Sequence, residues 1–455
     1  MAALREYIHF FRDPVGCMRD LHRRCGSLIV LMPLPFAKRP AMQVLGVGPE
    51  FNRQILGDPA SFRATGQFMW GPKNSAQQRL RFGLTRMNGP QHKQQRALVM
   101  PPFHKKAIAG YHDLIVGLAE EVLGKWRPGQ RYDMHREMRT LTLRISSSVL
   151  FGNELEEALG IAHLLEEWTR RNFSSPVWLC PVDFPGTAYR RLLQHAERVQ
   201  AAIMASIDKR RRDPQGRTDI LSLLIQARDD QNRGMTDKEL IGQAAILFGA
   251  SFETSASVLT WTLFLLAQHP AVMHELMNEL DRVLAGAPPT REQLPQLTFL
   301  ENVINESMRI LPPVPFTIRA AQRDLAMGPV EVPKNTRVLC SHYLTHHMPE
   351  LYPEPERFRP ERWQSIEPNQ YEYMPFSAGP RVCIGASFAF QVLKVSLAMM
   401  LQRFRFSIVP GTRIDRVIRI TMAPREGLPM TVYPNDRKFA ASEVRGQIHE
   451  MVHLN

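Results

Sequence analysis

The spacing of apolar positions changes along this chain, and each change predicts a different element. Residues 1–100 carry short β-like runs, SLIVLMPLP at 27–35 and AMQVLGV at 41–47, among short helical pieces. From about 104 to 312 the apolar residues recur at helical spacing, broken by the Pro-rich loop SSPVWLCPVDFPG at 174–186. Residues 313–375 are Pro-rich and irregular, with a β-like piece at 336–341. Cys383 is followed by the helix pattern IGASFAFQVLKVSLAMMLQRF, and short strands finish the chain. The pattern predicts a mainly α fold with small β-sheets and shows no internal repeat.

One helix is predicted with both ends fixed. Thr236-Asp237-Lys238-Glu239 reads as a capping box, and no proline interrupts until Pro270. At 1.5 Å per residue such a helix spans roughly 48 Å, and its apolar character predicts that it crosses the interior. Glu253 interrupts it and the apolar run 256–267 is shorter than the roughly 20 residues a membrane span needs. A further helix is predicted over 203–212, ending in Lys209-Arg210-Arg211-Arg212 as a solvated basic terminus.

The net charge of +13 admits nucleic acid, anionic lipid or an acidic protein as partner. Aromatic residues are not interleaved with the basic ones and no zinc-finger or RNA-binding signature appears, so no nucleic-acid partner is expected. The N-terminal stretch MAALREYIHFFRDPVGCMRD lacks the apolar core of a signal peptide or membrane anchor. Cys17, Cys25, Cys180, Cys340 and Cys383 never occur at CxxC spacing, which excludes a disulfide framework or zinc site and fits a reducing compartment. The expectation is a cytoplasmic protein.

Cys383 poses the chemical question. It sits ahead of a helix, where backbone N–H groups and the dipole favour a thiolate. Gly379 and Gly385 permit close backbone approach to a flat partner, and Arg381 can pair with a carboxylate on it. A thiolate is one of the protein ligands of haem iron. On chemistry alone a buried structural cysteine is the better reading.

The surrounding residues carry a resemblance. Phe376-x-x-Gly379-x-Arg381-x-Cys383-x-Gly385 resembles the haem-thiolate signature of the cytochrome P-450 family. Glu306-Ser307-Met308-Arg309 is similar to the family's ExxR pair, whose i,i+3 spacing puts both side chains on one helix face. Phe358-Arg359-Pro360-Glu361-Arg362-Trp363 resembles the segment whose arginine joins that pair. Gly89-Pro90-Gln91-His92, with Arg96, resembles the helix whose His and Arg bind haem propionates, and Arg319 matches another propionate-binding arginine. Ala250-Ser251-Phe252-Glu253-Thr254-Ser255 resembles the oxygen-activation segment, with Ser251 where the family has glycine.

The resemblance covers about residues 12–434 and implies a triangular-prism fold holding haem b between the long helix and the helix after Cys383. It implies one domain over 1–434, with a β-rich part at about 1–100, a helical part at about 104–312 and a haem-ligand region at about 313–434. The tail 435–455 has no counterpart. Cys383 would be the iron ligand; His92, Arg96, Ala250, Arg319, Phe376, Gly379, Arg381 and Gly385 would bind the cofactor. Glu306, Arg309 and Arg362 would form a structural network, and Thr254, Glu253 and Ser251 would serve oxygen activation.

The implied activity is a monooxygenase that inserts one atom of dioxygen into a lipophilic small molecule. By family position the pocket draws on Phe68, Met69 and Trp70, the 173–184 segment, Leu247, Val314, Phe316 and Leu428. Electrons would come from NADPH or NADH through a reductase and an acidic ferredoxin or flavodoxin, steered by Lys93, Lys105, Lys106 and Lys394 to a monomeric enzyme. A peroxide-driven peroxygenase would not need Glu253 and Thr254, and a non-catalytic haem sensor would carry a signalling module.

Overall fold

In the computed structural model the long apolar helix runs over Asp237–Gln268, 32 residues, as its pattern predicts. The Thr236 backbone N–H donates to Glu239 Oε2 at 2.8 Å, and the Glu239 N–H to Thr236 Oγ1 at 3.4 Å, so the capping box closes in both directions. The structure describes residues 2–31, 42–66, 68–152, 154–214, 216–419 and 421–454. Residues 32–35 of the first β-like run, Ala41 of the second, and Asn455 at the end of the tail lie outside them. Helix makes up 54% of the structure and the strands fall in small sheets, the mainly α class expected.

The chain divides into two compact units. One comprises Met1–Arg63, Ile115–Arg139 and Thr254–Asn455; the other comprises Ala64–Leu114 and Thr140–Glu253. The boundary falls inside the long helix, between Glu253 and Thr254.

The first unit is built on a five-stranded sheet in the order Leu28–Leu31, Gln43–Gly46, Arg337–Ser341, Phe316–Ala321, Phe62–Ala64. Gln43–Gly46 pairs in parallel with Arg337–Ser341, which runs antiparallel to Phe316–Ala321 and sets Arg319 opposite Val338. Cross-strand partners share a face of the sheet, so Arg319 lies on the same face as Val338, whose buried cluster includes Val44, Leu56, Met374 and Ala378. The helix Ala386–Arg403 is buried almost without a break from Gln391 to Leu401, as expected of a helix enclosed in the interior. It leads into the strand Phe404–Ile408, which joins Pro429–Pro434 and Arg131–Asp133 in a three-stranded sheet.

The C-terminal tail, which carried no readable pattern, is part of this unit. Val444–Arg445 pairs in parallel with Thr412–Arg413, and Ile448, Met451 and Val452 are buried. Arg19 donates to Glu450 Oε2 at 2.8 Å, and His453 N–H donates to the Glu356 carbonyl at 2.8 Å. Residues 1–100 hold more helix than a β-rich segment would, in Ala2–Arg12, Pro14–Cys25, Pro49–Gly57 and Gly89–Val99.

In the second unit the helices Leu155–Asn172 and Ala188–Arg212 pack on each other, and the latter also on Ala76–Leu80. Trp168 Nε1 donates to Gln77 Oε1 at 2.7 Å, and Gln77 Nε2 to Asn172 Oδ1 at 2.8 Å. The helix expected over 203–212 begins much earlier, and its basic end is not uniformly solvated. Arg210 is buried, with Nε 3.0 Å from Asp219 Oδ1 and Nη1 3.0 Å from the Ser206 carbonyl. Asp219 caps the following helix Ile220–Gln226, and that turn brings the carboxylate to Arg210.

Candidate functional site

Cys383 stands two residues ahead of Gly385, the N-cap of the helix Ala386–Arg403. Its N–H donates to the Phe376 carbonyl at 2.9 Å, which closes the intervening loop. Gly379 has φ +69°, and a Cβ there would lie 2.5 Å from the Leu56 carbonyl oxygen, so the loop needs glycine at this close approach. The Phe376 ring packs 5.6 Å from Phe390, and Arg381 ends the short turn Gly379–Arg381 half-buried.

The other cysteines are less suited to be thiolates. Burial pushes the Cys17 thiol up to about 11 and the Cys340 thiol up to about 12. Cys25 is exposed and ends the helix Pro14–Cys25 rather than beginning one. Cys180 is exposed after a helix of one turn, Ser175–Leu179. Cys383 is solvent-accessible and precedes an 18-residue helix.

The predicted network is assembled and buried. Glu306, Arg309 and Arg362 are all nearly inaccessible to solvent. Arg309 forks onto Glu306 through Nε to Oε2 at 2.9 Å and Nη2 to Oε1 at 2.8 Å. Arg362 Nε reaches the same Oε1 at 2.9 Å, and burial lowers the Arg362 pKa despite this partner. Trp363 Nε1 donates to Glu306 Oε2 at 3.0 Å, and the Arg359 N–H to Oε1 at 3.1 Å. The remaining guanidinium N–H groups go to backbone: Arg309 to the His346 carbonyl at 2.8 Å, Arg362 to the Pro353 carbonyl at 2.9 Å, and both to the Arg357 carbonyl at 3.3 Å.

Arg319 has a different environment. Burial lowers its pKa, and the one acidic group acting on it is the Cys340 thiol, itself held protonated. Among the described residues its guanidinium donates to the Ile318 carbonyl at 3.2 Å and meets no carboxylate. A desolvated guanidinium without an acid fits an anionic group of a bound cofactor. With the thiol at Cys383, this donor set fits haem.

In the second unit His92 and Arg96 lie on one face of the helix Gly89–Val99, His92 buried and Arg96 half-buried. That helix is tied to the long helix through Gln95, which donates to Glu239 at 2.7 Å and accepts from Gln243 at 3.1 Å. A Cβ on Gly242 would collide with the Phe82 carbonyl, so glycine allows the close approach of that loop. The long helix stays regular through Ala250–Ser255, with Ala250 exposed and Ser251 and Glu253 half-buried. Ser251 Oγ donates back to the Phe248 carbonyl at 2.9 Å, and Thr142 Oγ1 donates to the Phe252 carbonyl at 3.0 Å. Thr254 is half-buried at the first position of the other unit.

The expected pocket residues are scattered in character. Phe68 stacks on Trp168 at 4.7 Å and meets Phe173 edge-on at 5.6 Å. Met69 is buried and Leu247 half-buried, but Trp70 is 54% exposed beside Tyr189, and Trp178, Leu179, Val182 and Phe184 are exposed too. In the other unit Phe316 packs on Phe10 at 5.9 Å, Val314 is half-buried, and Leu428 is fully buried.

Lys394 is not a surface charge. It is buried on the enclosed helix, with Nζ 2.6 Å from Glu301 Oε2 and 3.0 Å from the Leu294 carbonyl, whereas Lys93, Lys105 and Lys106 are exposed. Sequence reasoning also missed Trp363 and His346 as members of the buried network. Trp363 stood inside a quoted motif without a role; for His346, 37 residues beyond Arg309, no local signal existed.

The cytochrome P450 family profile matches residues 14–428. Cyclooctat-9-en-7-ol 5-monooxygenase of Streptomyces melanosporofaciens is 31% identical, over 82% of this chain and 82% of its own. Cyclooctatin synthase of the same organism is 31% identical over 89% and 87%, and cytokinin hydroxylase of Arabidopsis thaliana 30% over 78% and 72%. Among solved structures, a retinoic acid-bound cyanobacterial CYP120A1 shares the fold at a TM-score of 0.83, covering 94% of this chain and 96% of its own at 23% identity. The chain belongs to the cytochrome P450 family. It is therefore an oxidoreductase, a haem-dependent monooxygenase that uses dioxygen, a small-molecule substrate and a redox partner. Among the described residues no single helix is long and apolar enough to cross a membrane.

Proposed function

We propose that this monooxygenase inserts one oxygen atom into a lipophilic small molecule, with Cys383 as the thiolate ligand of haem iron. The observation that carries the assignment is the closed loop from Phe376 to Cys383, which presents an accessible thiol at the head of a buried helix. Arg319, His92, Arg96 and Arg381 are the proposed partners of the haem propionates, with Phe376, Gly379, Gly385 and Ala250 against the macrocycle. The bound haem supplies dioxygen activation and oxygen-atom transfer. Cys383 would hold the iron through its sulfur and supply electron density to it.

The protein's own chemistry here is proton handling and orientation. Thr254 Oγ1 would hand a proton into the cofactor site and take one from water, and the Glu253 carboxyl would re-supply it. Ser251 gives its hydroxyl hydrogen to the Phe248 carbonyl, so in this arrangement it is not the proton donor. Phe68, Trp70, Leu247, Val314, Phe316 and Leu428 supply apolar surface for substrate. Two relatives are named for a cyclic alkenol and for cyclooctatin, which favours a similarly apolar, oxygen-poor substrate.

The protein acts as a cytoplasmic monomer, and electrons from NADPH or NADH arrive through an acidic ferredoxin or flavodoxin that meets Lys93, Lys105 and Lys106. A ligand library screened for the spectral shift of displaced haem-bound water identifies the substrate class. Turnover with a reductase system rather than with peroxide then separates a monooxygenase from a peroxygenase, and no turnover with either overturns the reading.

A further inference from the structure

We propose that His346 is a positioning residue: its ring fixes the entry to the Cys383 loop while its backbone holds Arg309, so the buried charge network and the thiol are aligned through one residue. The proposal rests on the reading of Cys383 as iron ligand.

His346 is fully buried at the end of the short helix His342–His346. Its carbonyl accepts from Arg309 Nη1 at 2.8 Å. Its ring Nε2 lies 2.8 Å from the Met374 backbone nitrogen. A backbone N–H only donates, so Nε2 carries no proton and the neutral ring holds its proton on Nδ1. Nδ1 makes no hydrogen bond within normal geometry among the described residues. Burial, the neighbouring His342 and His347, and the Arg309 cation keep the imidazole pKa well below its ordinary value, which preserves the acceptor.

Met374 is where the loop begins. It is buried, its carbonyl accepts the Ser377 N–H at 3.0 Å, and two residues on the Phe376 carbonyl accepts the Cys383 N–H at 2.9 Å. A continuous chain of bonds therefore runs from Glu306 through Arg309, His346 and Met374 to the turn that carries Cys383. Tyr373 packs on the ring at 5.3 Å and Tyr352 at 6.5 Å, which restricts its rotation.

The test compares His346→Leu, which fills the space without an acceptor, with His346→Gln, whose amide oxygen can take the Met374 N–H. In haem-loaded protein, hydrogen exchange at Met374 is expected to rise about tenfold in the Leu variant and to return to within about twofold of wild type in the Gln variant. The red-shifted Soret band of the reduced carbon monoxide complex should weaken in the Leu variant and recover in the Gln variant. Unchanged Met374 exchange and an unchanged band in His346→Leu overturn the proposal. If that variant does not fold, the wild type decides: a Met374 amide exchanging as fast as the exposed amides around residue 370 overturns it, and a protected one supports it. Cys383→Ala retaining the band would instead refute the ligand assignment and leave the Met374 result standing.

Discussion

Arg362 Nε donates to Glu306 Oε1 at 2.9 Å across 56 residues of chain, in a place solvent barely reaches. The carboxylate is shared with Arg309 and Trp363, so it accepts from two cations and an indole N–H at once. Because Arg362 lies on the segment Pro360–Gln364 and Arg309 on the helix Thr298–Ile310, this carboxylate joins two parts of the chain, which the Arg357 carbonyl also bridges.

Glu306→Ala leaves two buried guanidinium groups without their carboxylate. The expected loss is about 3–5 kcal/mol of stability, enough to prevent haem retention. Chemical denaturation and haem content of the purified variant check this, and a haem-replete variant of wild-type stability contradicts it.

Cys383→Ala is expected to lose the red-shifted Soret band of the reduced carbon monoxide complex. Replacing Cys17, Cys25, Cys180 and Cys340 together by alanine or serine should keep it. The band following any other cysteine would move the ligand elsewhere.

Thr254→Ala removes the hydroxyl proposed to deliver protons. Substrate affinity should stay within about twofold, while product formed per reductant falls about tenfold or more and hydrogen peroxide rises in its place. Ser251→Gly should leave coupling unchanged, since the Ser251 hydroxyl is already given to the Phe248 carbonyl. Product and peroxide measured per NAD(P)H consumed decide both.

Exposed lysines and the buried one should behave differently. Charge reversal at Lys93, Lys105 and Lys106 is expected to slow reduction by an acidic partner and flatten its dependence on salt, because screening acts over about 8 Å at physiological ionic strength. Lys394→Met should leave that dependence intact and lower stability instead, since Lys394 is spent on Glu301. Stopped-flow reduction across a salt series, beside thermal unfolding, separates the two roles.

Asp13 gives the fold a pH dependence. Burial raises its pKa, but the hydrogen bond and charge of Arg416 outweigh that and hold it below the ordinary 3.8. The folded state thus favours the ionised form, and the stabilisation is complete above the ordinary value and lost as pH falls through the lower, folded value. Asp13→Asn should be less stable than wild type by about 1–3 kcal/mol at neutral pH, with the gap closing in the acid range below 3.8. Urea unfolding at a series of pH values measures it; a constant gap throughout contradicts the pairing.

What the sequence determined by itself was whatever a helical period or a short spacing encodes. Thr236 and Glu239 are three residues apart, so the capping box and the helix it opens follow from local geometry alone. Glu306 and Arg309 share a face for the same reason, and glycines marked the loop around Cys383, although what Gly379 must clear, the Leu56 carbonyl, is set by the fold. The family resemblance added Arg362 to that pair, although no spacing in the chain predicts it.

Only the tertiary structure decided which distant groups meet. The basic run at 209–212 read as solvated, yet packing placed Asp219 against Arg210 and buried it. Lys394 had the sequence of a surface charge and became an interior one because its helix is enclosed on all sides and Glu301 faces it. In the tail Val444, Ile448 and Met451 fall at helical spacing, yet the chain there forms a short strand, Val444–Arg445, and a tight turn, Gln447–Glu450, because the strand pairs with Thr412–Arg413 and the apolar side chains are buried against this unit. His346 reaches Met374 by the same logic, since a hydrogen bond between residues far apart in sequence is set by where the chain folds back and not by any spacing along it.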